Sequence, residues 1–222
     1  MTTMSTPPEI DLSLYLVVDR PQLERAGHDP VTAVRDAVAG GVTAVQVRDK
    51  QLPTRDTLAF CAALAETLPP LVAIIVDDRV DVVLAARANG VRLAGVHVGQ
   101  SDLPAHLVRR LLGPDAVIGV SAQTVAMARE AEAAGADHLG IGAVHGTATK
   151  ADAPAVIGVE GVAAVAAATA LPAVAIGGIS AADLPDLRRA GLDGAAVVSA
   201  ICSSPSPFDA AAELRRAWEG AR

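Results

Sequence analysis

Eight short apolar runs alternate with eight stretches of helical spacing along this chain, and no other feature narrows its fold so far. The spacing predicts strands over 14–18, 44–47, 72–76, 95–98, 117–120, 138–141, 173–176 and 195–198. It predicts helices over 31–39, 56–68, 80–88, 104–112, 124–134, 162–168, 182–190 and 208–218. Gly40-Gly41, Asn89-Gly90, Gly135 and Gly191 stop four of those helices, and Pro69-Pro70 stops another. The strands are continuously apolar, as in a parallel sheet covered on both faces. Ala39-Gly40-Gly41-Val42, Ala134-Gly135-Ala136-Asp137 and Ala190-Gly191-Leu192-Asp193 form a weak repeat, each leading from helix to strand. Eight such units in 222 residues predict a closed (β/α)8 TIM barrel, with a doubly wound α/β sheet as the alternative. Nothing in the composition marks a linker. One domain over residues 1–222 is therefore expected, with 1–11 as a flexible tail.

The choice of partners is narrowed by charge and side-chain type. Aromatic residues make up 2% of the chain, too few for a base-stacking platform. The net charge of −7 disfavours nucleic acid and anionic membranes. A phosphorylated small molecule would need a local basic cluster. Cys61 and Cys202 lack metal-ligand spacing and read as buried thiols in a reducing compartment. Residues 1–9 are polar, without a basic-then-apolar leader, and no apolar run reaches membrane-spanning length. These features predict a soluble, cytoplasmic protein. They leave oligomeric state open, a homo-oligomer included.

In a TIM barrel the chemistry sits at the C-terminal ends of the strands. The second strand delivers Gln46, Arg48 and Lys50 at alternate positions, which point to one side in an extended chain. Arg48-Asp49-Lys50 reads equally well as a solvated turn. The third strand delivers Asp77-Asp78, paired carboxylates suited to Mg²⁺, or Asp78 or Asp81 as a helix cap. The fourth brings His97, read as a packed barrel residue, and Asp102, read as a second Mg²⁺ ligand or a cap. Ser121 follows the fifth strand, either to bond a phosphate or to cap the next helix.

The sixth strand runs into Gly142 and a loop bearing Thr147, Thr149 and Lys150, whose hydroxyls and charge suit an anion. That connection, 143–157, is long for its kind and is expected to act as a lid. Gly177-Gly178 after the seventh strand and Ser199-Ala200 after the eighth would form a backbone cup for phosphate. Two anionic centres are implied, one of them metal-assisted.

Several motifs in order resemble the thiamine phosphate synthase family. They are Gln46-x-Arg48-x-Lys50, Val76-Asp77-Asp78, Gly95-Val96-His97-Val98-Gly99-Gln100-x-Asp102, Gly119-Val120-Ser121, Gly142 through Thr147-x-Thr149-Lys150, Gly158, Ile176-Gly177-Gly178-Ile179 and Ser199-Ala200-Ile201. The resemblance implies that a hydroxymethylpyrimidine diphosphate and a thiazole phosphate join to give thiamine phosphate and pyrophosphate. The bond to pyrophosphate would break largely first, leaving a cation that the thiazole nitrogen captures. By the same resemblance Gln46 orients the pyrimidine. Arg48, Lys50, Ser121 and Lys150 form the catalytic set on the pyrophosphate, and Asp78 and Asp102 hold Mg²⁺. Asp77 lies beside the pyrophosphate. Thr147, Thr149, Gly177, Gly178, Ser199 and Ala200 serve the thiazole phosphate side.

This chain differs from the family pattern at three places. Asp77 stands where Asn is usual, Gln123 where His is frequent, and Ala143 with His145-Gly146 where the loop usually carries proline. The connection through 91–94 is also a few residues longer. Asp77 is expected either to join the metal ligands or to turn away and pair with Arg79 or a lysine. The rival activities are a thiazole tautomerase-like isomerase on the same barrel and a non-catalytic phosphate-binding paralogue. Gln123 cannot shuttle the proton that the isomerase needs.

Overall fold

The computed structural model describes residues 9–50, 52–146 and 155–220. Its eight strands are β1 (Leu14–Val18), β2 (Ala44–Val47), β3 (Ala73–Asp77), β4 (Gly95–Val98), β5 (Val117–Ala122), β6 (His138–Gly142), β7 (Ala173–Ile176) and β8 (Gly194–Val197). They pair in sequence order, all parallel, and β8 closes on β1. The fold is therefore a (β/α)8 TIM barrel. Helices α2 (Pro30–Ala39), α3 (Thr54–Thr67), α4 (Val80–Ala88), α5 (Ala105–Leu112), α6 (Val125–Ala133), α7 (Gly158–Ala166) and α8 (Leu184–Arg189) fill the connections, and α10 (Pro207–Gly220) ends the chain. Among the described residues no helix is long and apolar enough to cross a membrane.

Two short helices were not predicted. α1 (Arg20–Arg25) and α9 (Ser199–Cys202) are too brief to show a period. α1 is started by Asp19, whose carboxylate accepts from Gln22 N at 3.0 Å, with Pro21 in the first turn. α7 begins at Gly158, four residues before the predicted start. Its first turn holds two glycines and reads as loop, but burial of Val162 and Val165 holds the segment helical.

Alternation along each strand sorts the core into two parts. Leu14, Leu16, Val45, Val47, Ile74, Val76, Leu139 and Ile141 face outward into the layer shared with the helices. Tyr15, Val17, Ala44, Ile75, Val117, Val174 and Ala196 fill the barrel interior. The predicted site residues continue the inward series. Gln46 and Arg48 follow Ala44 at intervals of two, Asp77 follows Ile75, and Ser121 follows Val117 and Gly119. β3 and β5 run further than predicted because ladder bonds continue past the apolar run, pairing Asp77 with His97 and Ser121 with Gly140. Both polar side chains therefore sit on rigid strand ends.

Candidate active site

The strand ends open on one cavity of about 700 Å³. Its wall includes Gln46, Arg48, Lys50, Asp77, Asp78, Asp102, Ser121, Gly177, Gly178 and Ser199. Ala200 is not on that wall, and its side chain packs on the outer core. Thr147, Thr149 and Lys150 lie outside the described residues, as does most of the expected lid. Its described ends are tied together, since Ile157 N donates to Ala143 O at 2.9 Å.

Four charged side chains interlock where β2 and β3 end. Asp77 Oδ2 lies 3.3 Å from Lys50 Nζ and 3.7 Å from Arg48 Nε. Lys50 Nζ also donates to Asp78 Oδ2. Asp78 adopts φ +58°, a left-handed conformation that Asp tolerates better than most residues. Its amide donates to His97 O at 2.8 Å. Neither Asp78 nor Asp81 caps α4 through its side chain. Arg79 is held elsewhere: its guanidinium grips Asp81 at 2.6 and 2.8 Å and Thr54 Oγ1 at 2.6 Å. Of the partners expected for Asp77, the lysine is therefore the one found, joined by Arg48.

The loop carrying Lys50 is braced from outside the cavity. Arg20 Nη1 is 3.6 Å from Asp49 Oδ2, and the guanidinium lies 4.7 Å over the ring of Phe60. The Asp49 side chain is 4% exposed, so Arg48-Asp49-Lys50 is not a solvated turn. Asp49 is a strut between two cavity-facing cations. The signal for it was the charge at the outward position of the alternation.

Asp102 closes the turn after β4, accepting from Gly99 N at 2.9 Å, and does not cap α5. Ser121 does not cap α6 either, because Thr124 does. Ser121 Oγ meets His97 Nε2 at 3.0 Å. Deeper in the barrel, Gln46 Nε2 donates to Tyr15 Oη at 3.0 Å. Burial drives the Tyr15 phenol far above its ordinary pKa, so it stays protonated. His138 completes this polar floor, with its ring 5.5 Å from that of His97 and 6.0 Å edge-on to Tyr15. Burial first, then the neighbouring His97, pushes the His138 imidazole down to about 3. Tyr15, His97 and His138 were not predicted as one floor, although all three lie on inward positions of the alternation.

Strands β3 and β7 stand four apart in the ring of eight, so their ends face each other across the cavity. On the β7 side Gly177 and Gly178 have φ of +106° and +63°, which glycine alone adopts freely. A β-carbon at Gly178 would also lie 2.8 Å from His145 Cβ. The first amides of a helix have no intrahelical partner, so the start of α9 supplies N–H donors at Ser199 and Ala200. Asp183 organises this wall, accepting from Ser180 N, Ser180 Oγ and His145 Nε2, each at 2.8 Å. Burial raises its carboxyl, but the bonds from Ser180 and His145 outweigh that and leave it below the ordinary range. Cys61 and Cys202 are buried free thiols, pushed by burial up to about 12 and about 11.

Among the described residues no three His, Cys, Asp or Glu side chains converge as a metal cage. Mg²⁺ takes one or two carboxylates together with substrate phosphate oxygens. Asp78 and Asp102 suit that role, because both line the cavity and the bonds described use only Oδ2 of each.

The family model described as thiamine monophosphate synthase matches residues 14–201. A thiamine-phosphate synthase of Moorella thermoacetica is 43% identical over 197 residues, covering 88% of this chain and 91% of that one. One from Albidiferax ferrireducens is 45% identical over 207 residues, covering 92% and 91%. The solved thiamine phosphate pyrophosphorylase from Pyrococcus furiosus superposes with a TM-score of 0.83 at 35% identity, over 95% of this chain and 97% of that one.

Proposed function

This chain belongs to the thiamine monophosphate synthase family, whose members are transferases, and from that premise we propose the reaction it performs. Hydroxymethylpyrimidine diphosphate and hydroxyethylthiazole phosphate join to give thiamine phosphate and pyrophosphate. One observation carries the reading. A charged wall at β2 and β3 and an amide-rich wall at β7 and β8 face each other across one cavity, with a hydrogen-bonding floor between them.

The floor suits a pyrimidine. Gln46 gives one of its Nε2 hydrogens to Tyr15, and its Oε1 is available to accept from an exocyclic ring amine. The diphosphate then reaches Arg48 and Lys50, while the Ser121 hydroxyl, placed by His97, is available to a phosphate oxygen. Lys150, outside the described residues, joins that set by resemblance. Asp78 and Asp102 would hold Mg²⁺, which when bound supplies charge neutralisation for the departing pyrophosphate.

The amides of Gly178 and Ser199, joined by Thr147 and Thr149 by resemblance, hold the thiazole phosphate and aim the ring nitrogen at the pyrimidine methylene carbon. The carbon–oxygen bond breaks, its electron pair leaves on pyrophosphate, and the nitrogen lone pair forms the new bond. That nitrogen carries no proton, so no general base is needed. The residues supply position and fixed charge aimed at the leaving group.

Purified protein incubated with both substrates and MgCl₂ should release thiamine phosphate and pyrophosphate in equal amounts. Consumption of neither substrate would overturn the reading.

A further inference from the structure

We propose that Asp77 makes the Arg48–Lys50 pair accept a diphosphate as its divalent-metal complex and refuse it bare. This rests on the reading of that wall as the diphosphate side. The two cations there are already matched by two carboxylates. Asp77 faces both Arg48 and Lys50, and Asp78 takes Lys50 as well. Asp102 adds a third carboxylate to the same cavity. Among the described residues the neighbouring cations bring no relief, because Arg79 is committed to Asp81 and Arg20 to Asp49.

A bare diphosphate would therefore have to displace Asp77 from its partners. The Asp77 side chain is 12% exposed, so the released carboxylate would stay against the incoming anion, poorly screened by water. A divalent cation between them removes the conflict, since carboxylate and phosphate oxygens then share one positive centre. An amide in place of Asp77 would keep the shape, carry no charge and offer a donor to the phosphate. The discrimination is thus assigned to a single carboxylate oxygen and the two nitrogens it faces.

Calorimetric titration with inorganic pyrophosphate tests this without turnover, using wild type, Asp77→Asn, Asp77→Ser and Asp77→Glu, each in excess MgCl₂ and in EDTA. Thermal melts check that each variant is folded. Wild type and Asp77→Glu should bind with magnesium and weaken about a hundredfold in EDTA. Asp77→Asn and Asp77→Ser should bind about tenfold or more tighter than wild type in EDTA, narrowing the gap. Equal affinity of wild type and both neutral variants in EDTA overturns the proposal. Arg48→Ala in MgCl₂ separates it from the reading beneath. If that variant binds pyrophosphate as tightly as wild type, the wall is not the diphosphate side, and both fall together.

Discussion

Gly119 shows how one missing methyl group shapes the cavity floor. It lies beside His97 in the β4–β5 register and beside His138 in the β5–β6 register. A β-carbon there would collide with both imidazoles. Gly119→Ala should cost about 1–3 kcal/mol of stability, the usual range for overpacking, and displace His97 from Ser121. Urea denaturation measures the first effect, and weaker pyrophosphate binding reports the second. Tyr15→Phe removes the acceptor for Gln46 Nε2 and leaves that amide partly unsatisfied in a buried site. It should cost about 1–2 kcal/mol. It should also raise KM for the pyrimidine substrate several-fold while changing that for the thiazole substrate little. An equal rise for both would show that Gln46 does not read the pyrimidine.

Among the elements, the turn between β7 and α8 is set by a single carboxylate. Asp183 gathers Ser180 from its own turn and His145 from the connection after β6. Two backbone bonds run the same way, from Val144 N to Ile176 O and from His145 N to Gly177 O. Asp183→Ala should therefore loosen the glycine turn without detaching the strand ends. The expected result is a KM for the thiazole phosphate raised about fivefold to tenfold, for a loss of about 1 kcal/mol in binding. An unchanged KM would place that phosphate elsewhere. The helices were legible where length or a stop signal served them, as in α2 with Gly40 behind it. α1 was not, because it is too short for a period, and α7 was legible except for its first turn, which holds residues of poor helix propensity.

For the molecule as a whole, the enclosed floor links folding to pH. His138 is fully buried between Tyr15 and His97, and its imidazole is held down to about 3. In the unfolded chain it titrates near 6.5. Between those values the unfolded state binds a proton that the folded state does not, so stability falls as pH drops through that window. The slope approaches about 1.4 kcal/mol per pH unit, so about 3 kcal/mol is lost from this group between roughly pH 7 and pH 4.5. His138→Leu should flatten the urea-measured stability over that range by about this amount. An unaltered slope would mean that another group dominates the acid response.

Alternation of apolar runs with helical spacing and glycine stops determined eight strand–helix units and predicted a barrel ahead of a doubly wound sheet. Backbone pairing and burial of apolar faces are local in their sequence signature, so the eight strands could be read directly. That Gln46, Arg48 and Lys50 point to one side also followed from a period of two. Only the pairing of neighbouring strands in the folded sheet decided which side chains meet. Four pairs join residues far apart in sequence: Asp77 with Arg48 and with Lys50, Gln46 with Tyr15, and His145 with Asp183. No propensity or spacing carries them. They arise because a ring of eight parallel strands brings distant chain segments to one mouth, where the nearest opposite charge or free acceptor takes each polar group.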